Sequence, residues 1–326
     1  MFYEYALDPQ LLTNWKDFRY HTEKYSWFHG RLIARYPKGW KKLVYESLSH
    51  CGEVERKMIE VKLELLDNHR MIKRPSSSYD PKKTWLNNTF EEHERKAFHA
   101  VITRENPDKH PDVLLGDFLD ETDPRFQVPN KICERKADEF AEALTLLLKS
   151  SKRILFIDPN FSPEKWRFRT VLETFIRVAD NNRREQEPKL ELHTSIERYF
   201  KGYDREAVDE INKAKLVMSQ FNQNLPDIIP LRKSITIFIW KEIKDESAEC
   251  RRDKFHNRYV LTDLGGVSFG TGLDQSDQGM TETDDLLRLD ENIYKFRWEQ
   301  YASANPAFDL VIKPVEIKGS NIEKYR

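Results

Sequence analysis

Residues 254–274 read KFHNRYVLTDLGGVSFGTGLD. Six positions in this stretch carry the reading: His256, Arg258, Asp263, Gly270, Thr271 and Asp274. Phe255, Arg258, Tyr259, Val260, Leu261 and Thr262 form a β-branched and aromatic run that stops at Gly265 and Gly266, which predicts a strand followed by a turn. A second strand is expected from Val267 to Phe269. Alternate side chains of a strand share a face, so His256 and Arg258 are expected to project together. A phosphate site needs that pairing of a nucleophile with a cation. A lone strand histidine is more often a satisfied core residue, and His-x-Arg alone carries no weight. Six positions on a strand–turn–strand carry more.

Written as a pattern, the stretch is H-x-R-x4-D-x6-G-T-x2-D. It resembles the signature of the phospholipase D superfamily, H-x-K-x4-D-x6-G-S-x2-N. Every spacing is kept and three residue types are changed: Arg258 for Lys, Thr271 for Ser and Asp274 for Asn. A strand running into Asp158-Pro159-Asn160-Phe161 is a looser likeness to the first core strand of such lobes. The resemblance covers residues 131–326 and implies an α/β lobe, a mixed sheet flanked by helices.

It also implies phosphodiester chemistry. In the superfamily the motif histidine attacks phosphorus and forms a phosphohistidine, while a second histidine protonates the leaving oxygen and then activates water. Carried over, His256 is the nucleophile or the acid/base. Arg258 keeps the cation and can grip two phosphate oxygens, but it cannot take part in proton transfer. Thr271 keeps the hydroxyl. Asp263 is the motif carboxylate, which either touches the site or braces the fold. Asp274 places an acceptor-only anion where the pattern has a neutral amide, which is unfavourable beside a phosphodiester unless a cation compensates. No metal and no cofactor is expected, because cationic side chains offset the phosphoryl charge. The chain holds one such motif, so a two-histidine mechanism implies a homodimer in which each subunit donates one His256.

The 326 residues suit one large or two ordinary domains. With 54 Lys+Arg against 55 Asp+Glu, net charge does not point to nucleic acid, so any basic surface must be local. Cys51, Cys133 and Cys250 are far apart and odd in number, which argues against a zinc site or disulfide framework and for free thiols in a reducing cytosol. The start, MFYEYALDPQ, shows no secretory pattern, and no run of 18 apolar residues exists. The expectation is a cytoplasmic protein with no membrane partner.

Residues 1–130 are expected to form a mainly helical N-terminal domain ending in an acidic, proline-containing linker over 104–130. Arg31, Arg35, Lys38, Lys41 and Lys42 lie among Tyr25, Trp27, Phe28, Tyr36, Trp40 and Tyr45. Cations can neutralise phosphates and aromatic faces can stack on unpaired bases. The plainer alternative puts the rings in the core and the cations on its solvated face. VERKMIEVKLELL, residues 54–66, reads as an amphipathic helix, and residues 73–83 as a loop. His93 and His99 lack metal-ligand spacing, and His193 at a strand end reads as structural. From residue 131 helix and strand alternate, which argues for α/β with a mixed sheet.

The expected function is a metal-independent nuclease cleaving DNA or RNA. Lipid substrates rank lower, since no apolar anchor or basic amphipathic helix is evident. Many nuclease-like members of the superfamily serve restriction or phage defence beside ATPases, so an ATPase or helicase partner is an expectation by analogy. The alternative is a catalytically inactive module that binds nucleic acid or protein.

Overall fold

Short parallel strands need long crossovers, and residues 1–129 supply most of them as helices. The computed structural model describes residues 1–74, 78–180, 187–199, 209–243 and 254–320. It divides into Met1–Pro129 and Asn130–Arg326. The first unit runs β1 (Tyr3–Leu7), α1 (Trp15–Thr22), β2 (Arg31–Arg35), α2 (Trp40–Ser47), α3 (Glu53–His69), β3 (Met71–Lys73), α4 (Trp85–Arg95), β4 (Ala100–Thr103) and β5 (Val113–Leu115). The strands form one parallel sheet in the order β3-β2-β1-β4-β5.

Both faces of that sheet are covered. Tyr5, Leu7, Ile33 and Ile102 pack with Phe18, Trp40, Val44, Ile59 and Leu63 from α1, α2 and α3. Ala6, Ala34, Val101 and Val113 pack with Trp85 and Leu86 of α4 on the other side. The expectation of a mainly helical N-terminal domain is therefore corrected to α/β. The strands are only three to five residues long and buried on both faces, so they show no alternation to betray them. Nor are residues 104–130 a linker. They contain β5, and Phe126 is fully buried against Tyr5 and Tyr25.

The second unit runs β6 (Lys131–Glu134), α5 (Ala137–Ser150), β7 (Arg153–Ile157), α6 (Trp166–Asp180), β8 (Lys189–Ser195), α7 (Ile196–Tyr199), α8 (Glu210–Asn224), β9 (Ser234–Lys241), β10 (Tyr259–Thr262), β11 (Gly266–Phe269), β12 (Thr283–Arg288), α9 (Glu291–Ala302), β13 (Asp309–Leu310) and β14 (Val315–Lys318). Its nine-stranded sheet has the order β13-β9-β8-β7-β10-β11-β12-β6, with β14 also on β9. β7, β8 and β9 are parallel, and β10, β11, β12 and β6 join antiparallel. This is the mixed sheet that the alternation of elements led us to expect. Phe156 and Phe269 meet Phe175 of α6 and Phe140 of α5 on one face. On the other face His193 meets Tyr301 of α9.

The first unit carries a buried group of charges. Arg74 Nε lies 2.7 Å from Glu4 and its Nη1 3.0 Å from Glu92, with the guanidinium 3.6 Å from the Phe98 ring centre. Truncating one member of such a group strands the others in low dielectric. Arg74→Met should lower unfolding free energy by about 3 kcal/mol or more. Urea denaturation checks this, and a loss within error would mean that Lys96 and Arg95 hold the two carboxylates unaided.

Candidate functional site

Parallel β7, β8 and β9 end at one edge of the second sheet, the edge where ligands of open α/β sheets collect. Antiparallel β10 and β12 begin there and β11 ends there. Asp158 follows β7, Arg258 precedes β10, and residues 270–274 turn away from β11. The ladder runs on past β10, since Phe269 N–H donates to Arg258 O at 3.0 Å.

His256 is placed by its neighbour. Phe255 is buried against Tyr301 and Phe308, and its N–H donates to Glu242 Oε1 at 3.1 Å. His256 itself is exposed. Its backbone N–H returns to Lys254 O at 3.0 Å, and its ring Nδ1 lies 2.9 Å from the same carbonyl. A carbonyl only accepts, so Nδ1 carries the proton and the neutral ring keeps its lone pair on Nε2. The sequence placed His256 and Arg258 on one strand face. The backbone instead turns at His256, and β10 starts only at Tyr259, so strand alternation does not relate the two.

Arg258 is half-buried. Its Nε is buried without a hydrogen-bond partner, and among the described residues no carboxylate lies within ion-pair distance of it. Its charge reaches Asp158. That carboxyl is buried, and burial pushes its pKa up to about 6, against the pull of the Leu273 and Asn160 N–H groups and of Arg258. Asp158 Oδ2 accepts from Leu273 N at 2.8 Å and Oδ1 from Asn160 N at 2.8 Å. It thus ties the turn after β7 to the turn after β11.

Asp274 is buried beside it. Its Oδ1 takes Arg135 Nη2 at 2.6 Å and its Oδ2 takes Arg167 Nε at 3.1 Å. Burial raises its pKa, and the two arginines oppose that rise. Reading the sequence alone missed Arg135 and Arg167. The signal was available, because an anion in place of an amide calls for cations. Gly272 is required here: a Cβ would stand 2.5 Å from Asp274 Oδ1 and 3.4 Å from Asp158 Oδ2. Gly270 is held likewise, 2.7 Å from Asp284 Oδ1. Thr271 is exposed, and both its N–H and its hydroxyl donate to Asp284 Oδ1, at 3.1 and 3.3 Å.

Asp263 stands apart from these groups. It follows β10 at the opposite edge and accepts from Lys152 N at 2.8 Å and Arg153 N at 3.1 Å. Of the two roles open to it, the structure supports the brace, and its place among the catalytic residues is corrected. His193 is structural too. Trp240 Nε1, a donor only, bonds its Nδ1 at 2.9 Å, and its Nε2 faces Glu191 at 3.3 Å, all fully buried.

In the first unit the aromatic half of the basic stretch is core. Tyr25, Trp27, Tyr36 and Trp40 are all buried, so stacking of bases on these rings is corrected. Arg31 donates to Lys24 O and Phe126 O and lies over the Phe126 ring. Lys41 pairs with Glu64 and Lys42 with Glu46, while Arg35 Nε reaches Lys38 O at 3.4 Å. Lys38 is exposed.

His93, His110 and Asp112 come within 4.8 Å of one another. Backbone N–H groups donate to Nδ1 of both rings, so each neutral ring carries its proton on Nε2. Metal-bound histidines instead donate from the nitrogen away from the metal. His93 Nε2 to Asp112 at 3.1 Å is therefore a hydrogen-bonded brace. Cys51 and Cys133 are free thiols, and Cys250 lies outside the described residues.

No protein-family model matches the chain. No curated protein matches it either. Among solved structures, that of TrmBL2, an archaeal chromatin protein with a novel mode of DNA binding, aligns at 9% identity and a TM-score of 0.23. The alignment covers 81% of this chain and 67% of that one.

The buried Asp158 makes a pH signature. Its folded pKa lies above the ordinary value of 3.8, so the proton is held more tightly in the folded state. The stability this supplies is complete below pH ~4 and is lost as pH rises through about 6. In a carbon-detected NMR titration the Asp158 carboxyl should move with a midpoint near 6. A midpoint at or below 3.8 would show that its two N–H donors and Arg258 outweigh burial.

Proposed function

We propose that residues 130–326 are a phospholipase D-like phosphodiesterase that cleaves DNA or RNA without a metal. The observation that carries this reading is His256. It is exposed, its Nδ1 proton is engaged by a carbonyl, and its Nε2 lone pair is available, close in sequence to an arginine with no carboxylate partner among the described residues. Nε2 attacks phosphorus, and the P–O bond to the leaving nucleoside oxygen breaks as that oxygen takes a proton from a second, protonated His256. The second ring, now neutral, removes a proton from water. The resulting hydroxide attacks the phosphohistidine, releasing a phosphomonoester and restoring the first ring. Arg258 offsets charge on the non-bridging oxygens. Thr271 and Asp274 shape the turn beside them through Asp284, Arg135 and Arg167.

One motif per chain makes a homodimer the natural source of the second histidine. A nucleic acid is favoured over a lipid because the basic residues of the first unit suit a polymer of phosphates. Exposed Lys38, with Arg35, Lys41 and Lys42, is the basic surface offered to phosphates. A role in phage defence, beside an ATPase or helicase, follows by analogy from the same resemblance, and the cytoplasmic setting follows from the three cysteines read as free thiols.

Purified protein should cleave labelled single- or double-stranded DNA or RNA in the presence of EDTA. His256→Ala should abolish cleavage, and Arg258→Ala should lower the rate about a hundredfold. Mixing wild-type with His256→Ala subunits should make activity fall toward the square of the wild-type fraction, whereas a linear fall would end the shared-site model. Binding without cleavage would leave the inactive binding module as the better reading.

Neutralising Arg35, Lys38, Lys41 and Lys42 together should weaken nucleic-acid binding and flatten its salt dependence. An unchanged salt slope would remove this surface from the proposal.

A further inference from the structure

Helix α3 is apolar on two sides. Ile59, Leu63 and Leu66 are buried in the core of the first unit. A second row faces outward: Val54 is 77% exposed, Met58 43%, Val61 54% and Leu65 50%. The intervals in that row, four, three and four, are those of a coiled-coil seam rather than of a solvated helix face. Trp15, Val54, Met58 and Val61, with the stems of Lys57 and Lys62, line a shallow groove along it. A continuous exposed apolar row of this kind marks an interaction surface.

We propose that its occupant is the same helix of a second copy, laid antiparallel across a two-fold axis near Ile59 and Glu60. The charges beside the seam select both the partner and its direction. Val54 and Val61 take the d positions and Met58 and Leu65 the a positions. Glu55 and Lys62 then fall at e, and Lys57 and Glu64 at g. Antiparallel helices bring e against e and g against g. Val54 then meets the partner's Leu65, and Met58 meets the partner's Val61. Glu55 faces the partner's Lys62, and Lys57 faces the partner's Glu64. The two-fold axis repeats each pairing, so every flanking contact joins opposite charges. A parallel arrangement sets g against the following e, which places Lys57 against the partner's Lys62 and repels.

The charged side chains are free enough to change partners. Lys57 now pairs with Glu60, and Glu64 with Lys41, through exposed contacts that contribute little. Glu55 uses Oε1 to hold Trp15 N at 2.6 Å, which fixes the groove wall. The seam spans roughly 17 Å at 1.5 Å per residue. A seam of that length buries less than the ~800 Å² per partner of a standard interface, so the dimer is weak. The surface belongs wholly to the first unit and does not depend on the chemistry assigned to His256.

Sedimentation equilibrium of the full chain over a concentration series tests the proposal. The wild type should show a weak self-association step, separate from any pairing of chains through His256. Met58→Asp changes an exposed position, so it should abolish that step while leaving circular dichroism and the melting temperature unchanged. Lys57→Glu alone and Glu64→Lys alone should each weaken association on the order of tenfold. Mixing those two variants should restore it, because the heterodimer regains opposite charges at both g contacts, and a merely structural effect would not be rescued. A wild type that stays monomeric throughout overturns the proposal. So does self-association with no step sensitive to Met58→Asp, or a mixture no tighter than its components.

Discussion

Asp158 ties the edge of the second sheet together. Both oxygens of its buried carboxylate accept backbone N–H groups, from Asn160 and Leu273. One lies in the turn after β7 and the other in the turn after β11. Burying a carboxylate costs several kcal/mol, and hydrogen bonds to a charged acceptor return about 1.5–3 kcal/mol each. The balance is close, which is why burial still holds the group above its ordinary pKa. Arg258 helps to offset that cost without forming an ion pair. The arrangement also explains the glycine in the turn, since Gly272 leaves no room for a Cβ between Asp158 and Asp274.

Much of this edge was legible in the sequence, and for a physical reason. The run to Thr262, the Gly265-Gly266 turn and the strand beyond are local signals, and β10 and β11 pair with each other directly. The strand running into Asp158 was legible because residues 154–157, ILFI, are continuously apolar and short. What failed was the backbone path just before β10. A carbonyl that receives both the N–H and the ring Nδ1 of His256 is a turn, and residue types alone do not report it. Asp263 was left open between two roles, and only the backbone N–H groups of Lys152 and Arg153, distant in sequence, decide between them. The outward row on α3 was in plain view, but a helix with two apolar sides reads as amphipathic until one side is seen to be covered.

The first unit was misread because its strands carry no period. Residues such as RLIAR and AVIT are buried on both faces, so neither alternation nor length separates them from helix. The aromatics between them drew attention as a base-stacking surface. They are large because they fill the space between a parallel sheet and its crossover helices. Trp40 shows this: it is fully buried, and its Nε1 finds Leu7 O at 2.7 Å. A buried indole needs such a partner, and the end of a neighbouring strand supplies it.

The three altered motif residues are best weighed together with what surrounds them. An aspartate facing a phosphodiester would repel it, and that was the objection to Asp274. Its two oxygens are instead occupied by Arg135, at the end of β6, and Arg167, on α6. The outer partners of these arginines, Glu282 and Asp277, are substantially exposed and therefore screened. The anion is thus balanced inside the protein, while Arg258, among the described residues, has no carboxylate within ion-pair distance. Asparagine at 274 would not simply restore the common pattern. It would leave Arg135 in a buried setting without its inner counter-charge, and breaking a buried pair in this way costs about 3–5 kcal/mol. Asp274, Arg135 and Arg167 therefore form one unit. That unit fastens the edge strand β6 and helix α6 to the turn carrying Thr271.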